Sequence, residues 1–278
     1  MTRKLRPLLS HLVLVLLGYV MIYPLIWLVF SSFKTNQEIF GSISLFPSTY
    51  IFSSYAQGWA GTGQFGFDLY FVNSLRMVLP TVLGTILSSV VVAYGFSRFD
   101  FPLRKLLFAL MLSTMMLPNA VTIIPSYLLF KKFGWLDSYL PFIIPSSLAI
   151  SAFFIFMLIQ FFRGLPRELD ESAKLDGCNS FSILVRILLP LSGPALFSVG
   201  IFQFIWTWND FFNSIIYINS ARNFTVSLGL RLAIDQSSAT SWNAILAMSV
   251  VSIIPCVLLF FFAQRYFVQG IATTGLKG

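Results

Sequence analysis

The sequence predicts an all-α membrane protein, with residues 1–278 forming a single domain that crosses the bilayer six times. Of its residues, 57% are hydrophobic and only 10% are charged, and the mean hydropathy is +0.82. A soluble domain carries about 25% charged residues, so lipid must be the solvent for much of this chain. The sequence also contains six apolar runs of the length needed, about 20 residues, to cross a hydrocarbon core.

The six apolar runs are spread along the whole chain. They cover residues 12–33, 71–96, 106–130, 139–162, 194–218 and 244–262. The first run follows Arg3, Lys4 and Arg6, as the apolar part of a signal peptide does. It is too long for that part and shows no small-residue cleavage site, so we expect a retained transmembrane helix.

The basic residues between the runs predict the orientation, because Lys and Arg concentrate in cytoplasmic loops. Twelve of them lie on the side that holds both termini and the loops 97–105 and 163–190, against five on the other side. Both termini of this multi-pass chain are therefore expected in the cytoplasm. The net charge of +8 is explained by basic residues in short loops between apolar runs, which is the pattern of a membrane protein. The charge therefore does not indicate a nucleic-acid partner, and we expect membrane lipid instead.

The loop of residues 163–190 carries the densest charge, and its pattern predicts a helix–turn–helix. Pro166 suits the first position of a helix, and acidic residues follow at the positive end of the helix dipole. Asp170 and Lys174 have the spacing of an ion pair within a helix. Gly177 is expected to stop this helix in the left-handed conformation.

A second helix is expected from Ser180, as its N-cap, to Leu189, with Pro190 ending it. Its apolar stripe comprises Phe181, Leu184, Ile187 and Leu188. These residues alone leave two interpretations open: an amphipathic hairpin on the membrane surface, or a docking element for another protein.

The spacing within this loop resembles a signature of ABC importer permeases, which reads E-A-A, three residues, G, nine residues, I-x-L-P. Here Glu171-Ser172-Ala173, Gly177 and the run from Ile187 to Pro190 stand at those spacings, and Ser172 in place of alanine is the one departure. In that family the loop forms a coupling helix that docks on an ATPase subunit. The resemblance implies this role for Glu171, Ser172, Ala173, Asp176, Gly177 and Pro190.

Other runs are similar to those of the maltose-type carbohydrate permeases. They are Asn73-Ser74-Leu75, residues 97–102, Trp208-Asn209-Asp210-Phe211, and the C-terminal residues 264–270 and 275–278. The resemblance implies that the tail, with Gln269, Gly270 and Lys277, reaches between two ATPase subunits. A looser similarity implies that Gly229, Leu230 and Arg231 contact a binding protein.

As a whole, the resemblance implies a type I ABC importer permease fold with a cytoplasmic coupling helix, in the cytoplasmic membrane of a prokaryote. The implied partners are a second permease subunit, two ATPase subunits, an extracytoplasmic solute-binding protein and a sugar of di- or oligosaccharide size. Catalytic residues, metal ligands and cofactors are not expected in this chain, since ATP and Mg²⁺ would be bound by the ATPase subunits. The sequence contains no P-loop motif for binding nucleotide phosphates.

Asp210 is the most unusual polar residue in a predicted span, because a charge at a helix centre costs about 2.5–3.5 kcal/mol. Two interpretations are open. Asp210 caps or ties neighbouring helices, or it lines a substrate path together with Trp208 and Asn209. The second would suit a sugar, since aromatic faces stack on sugar rings and carboxylates or amides bind their hydroxyl groups.

Two other classes of protein fit the sequence less well. A stand-alone secondary transporter or channel would show inverted repeats and broken helices with ionisable groups at the midplane, and neither is evident in the sequence. A polytopic membrane enzyme would need a cluster of catalytic side chains at one membrane face. The single histidine, His11, and scattered carboxylates do not provide such a cluster.

Overall fold

The computed structural model describes residues 2–61, 64–235 and 241–275, and side chains between residues 10 and 264 of these ranges. The described residues form helices and their connections, without a strand. The helices are α1 (Thr2–Ser31), α2 (Asn36–Gly41), α3 (Ser53–Ala60), α4 (Phe67–Arg98), α5 (Arg104–Thr114), α6 (Asn119–Lys132), α7 (Leu140–Ser147), α8 (Ala152–Gly164), α9 (Glu168–Leu175), α10 (Ser180–Ile183), α11 (Leu189–Leu191), α12 (Gly193–Trp208), α13 (Phe211–Tyr217), α14 (Val226–Asp235) and α15 (Trp242–Gly275).

Four stretches of the described chain are long and apolar enough to cross a membrane: Ser10–Ser31 of α1, the whole of α4, α7 with α8, and Trp242–Gln264 of α15. Two bent pairs, α5 with α6 and the segment Ser180–Leu191 with α12, meet the same requirement jointly. Each of the six predicted runs overlaps one of these stretches, so the predicted all-α, six-span architecture is confirmed.

Two of the six spans are broken, whereas the sequence indicated no clear break. α5 and α6 meet at 99°, where Pro118 precedes α6 and cannot donate to the helical hydrogen-bond ladder. The segment Ser180–Leu191 and α12 meet at 78°, on either side of Ser192. Broken helices also occur in secondary transporters, so the shape of the spans does not separate that class from the ABC permeases.

The chain divides into two compact units, Met1–Phe71 with Gly229–Ile254, and Val72–Leu228 with Pro255–Gly278. In the first unit, the segment that follows α1 packs back onto the end of that helix. Lys34 is 1% exposed and its ammonium group donates to the carbonyl of Ser44. The hydroxyl of Ser54 donates to the carbonyl of Ser32 at 2.8 Å.

Among the described side chains of α1, the one that is buried in this unit is Ser31, its last residue. Along Ser10–Ser31, no residue of the most apolar window is buried inside the chain. The side chains of Leu14, Val15 and Met21 are each at least 66% exposed. An apolar surface of this length is stable only where lipid or another apolar partner covers it.

In the second unit, one hydrophobic core joins α4, α8, α9, α10 and α12. Leu158, Ile159 and Phe162 of α8 lie at its centre with 0% exposure. Ala173 of α9 belongs to the same core and is 5% exposed. The charged loop of residues 163–190 is therefore packed against the helix bundle and does not project freely from it.

The first turns of α4 in this unit hold the connection between α13 and α14. The amide of Asn73, 2% exposed, donates to the carbonyls of Arg222 at 2.8 Å and Phe224 at 3.1 Å. The backbone N–H of Val226 donates to the hydroxyl of Ser74 at 2.8 Å. These contacts give the Asn73-Ser74 run a structural role that its sequence did not reveal.

A second brace in the same unit joins the α6–α7 connection to the α13–α14 connection through Asp137. Its carboxylate accepts from the backbone N–H groups of Asn219 and Ser220 and from the Ser220 hydroxyl, at 2.5–3.0 Å. Asp137 also lies in the left-handed region, with φ at 57°. Burial acts to raise the pKa of Asp137, but the hydrogen bonds from Ser220, Asn219 and Asn223 outweigh it, and the pKa is lowered from 3.8.

We expect the Asp137 brace to weaken in acid. A lowered folded-state pKa gives stability that is complete above the ordinary pKa and is lost as the pH falls through the folded value. The variant Asp137→Asn keeps a residue type that tolerates positive φ but removes the charge. Its thermal midpoint in detergent should lie below that of the wild type by an amount that is constant above about pH 5 and shrinks towards about pH 3. An equal difference at every pH would contradict this account.

Candidate functional site

The charged loop folds into the helix–turn–helix that the sequence predicted, with different first residues. The first helix, α9, begins at Glu168, so Pro166 lies two residues before it and not at its first position. Gly177 follows α9 with φ at +81°, the left-handed conformation that was predicted. The N-cap of the second helix is Asn179 and not Ser180, since the Asn179 side chain accepts from the N–H of Ser182 at 2.8 Å.

The second helix is not a regular α-helix. After α10 the chain forms one π-helical stretch, Leu184–Leu188, and the N–H of Leu189 bonds to the carbonyl of Leu184 five residues back. The chain then continues through Pro190 to Leu191 before the bend. Leu184 and Leu188 are buried, whereas Phe181 is 74% exposed. Phe181 is therefore not part of the buried stripe that was predicted.

Asp170 has a different ion-pair partner from the one that its spacing predicted. It pairs with Arg98 at the end of α4, with Nε to Oδ2 at 2.9 Å, and not with Lys174. The two side chains are 7% and 12% exposed for Arg98 and Asp170 respectively. The Nε–H does not point at the carboxylate, so the contact is an ion pair without a well-formed hydrogen bond.

Two further contacts join α4 to the loop. The Arg98 guanidinium donates through Nη2 to the carbonyl of Leu165 at 3.2 Å. The hydroxyl of Tyr94 donates to the carbonyl of Ser180 at 3.0 Å. We call Tyr94, Arg98, Asp170 and Ser180 the clasp. The sequence analysis missed it, although an arginine at the end of an apolar span that faces a carboxylate-rich loop was a usable signal.

One face of the loop is open. Glu171, Ser172, Asp176 and Gly177 are exposed, and Ala173 is the one signature residue of the first helix that is buried. Two apolar side chains also stand out from this face, Leu175 at 90% exposure and Phe181 at 74%. Exposed apolar side chains with carboxylates around them are typical of a surface that binds another protein.

The structure brings Trp208, Asn209 and Asp210 to the break between α12 and α13 but gives them different surroundings. Trp208 is 3% exposed, and its ring stacks on Phe204 with centroids 5.4 Å apart. Asn209 is exposed and its amide donates to the carbonyl of Ile205 at 2.8 Å. Asp210 is partly buried and is the N-cap of α13.

The cap at Asp210 supports the structural interpretation of this residue. Its carboxylate accepts from the backbone N–H of Asn213 at 3.0 Å and from the Asn213 amide at 2.8 Å. Its carbonyl accepts from the hydroxyl of Ser214 at 2.5 Å. A side chain that accepts from donors at the start of α13 holds the chain at this helix end, where the dipole favours a negative group.

We expect Asp210→Ala to lower the unfolding free energy by about 1 kcal/mol and Asp210→Asn to have almost no effect, because asparagine caps a helix as well as aspartate does. The thermal midpoints of the two purified variants in the same detergent measure this. Equal losses in both variants would mean that the carboxylate charge, and not the cap, stabilises the fold.

The remaining predicted site residues lie in two places. Gly229, Leu230 and Arg231 are in α14, where a Cβ built on Gly229 would collide with the ring of Tyr70. The Arg231 guanidinium pairs with Asp235 at 2.8 Å, and both side chains are 54% exposed. Gln269 and Gly270 lie in α15, of which only the backbone is described there, and Lys277 lies outside the described residues.

Among described residues, no group of three or more His, Cys, Asp or Glu could hold a metal ion.

Six apolar spans together with a structured, charged loop define an integral membrane protein. The sequence profile of one family, described as "Binding-protein-dependent transport system inner membrane component", matches residues 81–273. The chain belongs to this family, whose members are permease subunits of ABC transporters.

Two relatives and one solved structure illustrate the similarity. An arabinooligosaccharide transport system permease, AraQ of Halalkalibacterium halodurans, is 32% identical over 100% of both chains. An sn-glycerol-3-phosphate transport system permease, UgpE of Brucella abortus, is 30% identical over 98% of both. The crystal structure of a bacterial ABC transporter that imports the polysaccharide alginate contains a chain with a TM-score of 0.85 and 21% identity, covering 96% of this chain and 98% of that one.

Proposed function

We propose that this permease imports a sugar, of di- or oligosaccharide size, as one half of a permease pair driven by two ATPase subunits. The observation that carries the sugar assignment is the full-length similarity to an arabinooligosaccharide permease. The proposal includes an extracytoplasmic binding protein that delivers the sugar. Its contact is α14, which contains Gly229, Leu230 and Arg231, with the exposed Arg231 on its surface. It also places both termini in the cytoplasm, in agreement with the distribution of basic residues.

The open face of the charged loop is the proposed contact with an ATPase subunit. Its shape supports this, because Gly177 lets the backbone turn where the two proteins approach closely, and Leu175 and Phe181 offer apolar anchors beside the carboxylates of Glu171 and Asp176. The same loop packs into the hydrophobic core through Ala173. A force on the open face is therefore passed into the helix bundle and not absorbed by a mobile loop.

The proposed substrate path passes the break between α12 and α13. Asn209 presents an exposed amide there and Asp210 a partly buried carboxylate, which are groups that bind sugar hydroxyls. Trp208 is buried in this conformation. Its ring would therefore stack on a sugar only after a rearrangement of α12. The C-terminal residues Gln269, Gly270 and Lys277 complete the proposed contacts, towards the interface between the ATPase subunits.

Reconstitution of the complete system in proteoliposomes tests the proposal. The permease with its partner permease, ATPase subunits and binding protein would be supplied with labelled arabinotriose, diacetylchitobiose and sn-glycerol 3-phosphate as probes. ATP-dependent uptake of either sugar supports the proposal. Uptake of sn-glycerol 3-phosphate alone would overturn the sugar assignment, and sugar uptake without ATPase subunits would instead support a stand-alone secondary transporter.

A further inference from the structure

We propose that Arg98 is a positioning residue, which locks the loop of residues 163–190 to the end of α4 through the clasp, so that loop and helix move as one body. The inference deepens the proposed function, because it rests on the loop being the place where ATPase movement enters this chain. The proposed role of Arg98 needs no contact with an ATPase or a sugar. It acts through Asp170 and the backbone of the loop.

The clasp fixes the orientation of the loop because it holds three separate points of it. Tyr94 and Arg98 are four residues apart and lie on one face of α4. Arg98 holds the entry to the loop at the Leu165 carbonyl and the first helix at Asp170. Tyr94 holds the start of the second helix at the Ser180 carbonyl. One contact would leave the loop free to pivot, whereas three spaced contacts do not.

Burial makes the clasp resistant to separation. The side chains of Arg98 and Asp170 are 7% and 12% exposed, and the carboxylate oxygens have no hydrogen-bond donor among the described residues. A buried charge that loses its partner is strongly destabilised. Movement of α9 away from α4 would therefore leave two such charges, so a load on α9 displaces α4 as well.

α4 is long enough to carry this displacement across the membrane. Its 32 residues, with Pro80 among them, give one helix of about 48 Å at a rise of 1.5 Å per residue. At the other end of the helix, Asn73 and Ser74 hold the backbone of residues 222–226 by three hydrogen bonds. The last of these bonds reaches the first residue of α14, the helix that we propose as the contact for the binding protein. The clasp thus places the inner loop and the start of α14 on one continuous element.

The experiment is a distance measurement between nitroxide labels on α4 and α9 in the assembled complex of permease pair and ATPase subunits. Val91→Cys and Glu168→Cys provide the label sites, since both side chains are exposed and neither belongs to the proposed docking face, and Cys178 and Cys256 are replaced by serine. With the clasp intact we expect one narrow distance that is unchanged by ATP, Mg²⁺ and vanadate. In Arg98→Gln and Asp170→Asn the distribution should widen at least about twofold, because several loop orientations become populated.

A charge exchange and a matched control separate positioning from simple damage. The double variant Arg98→Asp with Asp170→Arg should restore the narrow distribution, and Arg104→Gln, which breaks the exposed pair with Asp100, should leave it narrow. Narrow distributions in both single variants, or a double variant as broad as the single ones, would overturn the proposal. The same distances can be measured in the permease without ATPase subunits. They test the clasp there even if no ATPase binds, so a failure of the proposed function can be told apart from a failure of the clasp.

Discussion

Replacing Gly177 by arginine is expected to release the ATPase subunits while the permease itself stays folded. A Cβ at Gly177 meets no atom within 4 Å, so the side chain has room within this chain. The backbone φ of +81° costs a non-glycine residue about 1–2 kcal/mol, which a six-span protein tolerates. A large cation at the centre of the proposed docking face would clash with the partner, and we expect the affinity for the ATPase to fall at least about tenfold, or about 1.4 kcal/mol.

The measurement is retention of the ATPase subunits when the tagged permease is purified in detergent. Gly134→Arg is the matched control, because Gly134 also has a positive φ, at +69°, and open space around it, but lies in the α6–α7 connection away from the loop. Gly177→Ala carries the backbone strain without the bulk and should retain most of the ATPase. Full retention in Gly177→Arg would exclude Gly177 from the docking face.

The second large effect concerns the stability of the permease and not its assembly. Arg98→Met should lower the unfolding free energy by about 3 kcal/mol, because it leaves the Asp170 carboxylate buried without a counter-charge. The corresponding fall in the thermal midpoint is on the order of 5–10 °C for a chain of this size. Replacing both residues, as Arg98→Met with Asp170→Leu, should recover most of the loss, since an apolar pair of similar volume is often as stable as a buried ion pair.

The exposed ion pair of Arg104 with Asp100 provides the internal standard. The Asp100 side chain is 85% exposed, and exposed pairs contribute about 0–1 kcal/mol, so Arg104→Met should shift the midpoint little. Equal shifts of the thermal midpoint in Arg98→Met and Arg104→Met would mean that burial does not increase the contribution of the Arg98–Asp170 pair to stability. A double variant as unstable as Arg98→Met would mean that the packing around the clasp, and not the unpaired charge, causes the loss.

The spans and the turn at Gly177 could be predicted from the sequence because both depend on local rules. Apolar length decides whether a segment crosses the bilayer, and a glycine just after a helix commonly takes the left-handed conformation because it has no Cβ. The docking face, recognised by spacing and residue type, stays a prediction. Ser180, however, was expected to cap the second helix, and Asn179 does so. Both residue types are good N-caps, and local rules do not decide which of two adjacent residues takes the cap position.

The partner of Asp170 could not be predicted, because it is decided by tertiary structure. Within α9 the spacing favours Lys174, a pair that contributes a few tenths of a kcal/mol in water. Arg98 is 72 residues earlier in the chain and is brought close only when α4 and α9 pack in one core. The π-helical stretch at Leu184–Leu188 and the bends at the two broken spans have the same origin. Each depends on contacts between elements that no local pattern encodes.

The exposure of α1 has a consequence for how its sequence tolerates change. Because no residue in its apolar window is buried in the chain, the fold of this subunit requires only a length and a hydropathy there, and not particular side chains. Leu14→Val or Val15→Leu alters no packing within the subunit. Any position within this window that proves intolerant of such conservative exchanges would therefore mark a contact made with another molecule. A substitution scan of the window would locate the surface of α1 that this neighbour covers.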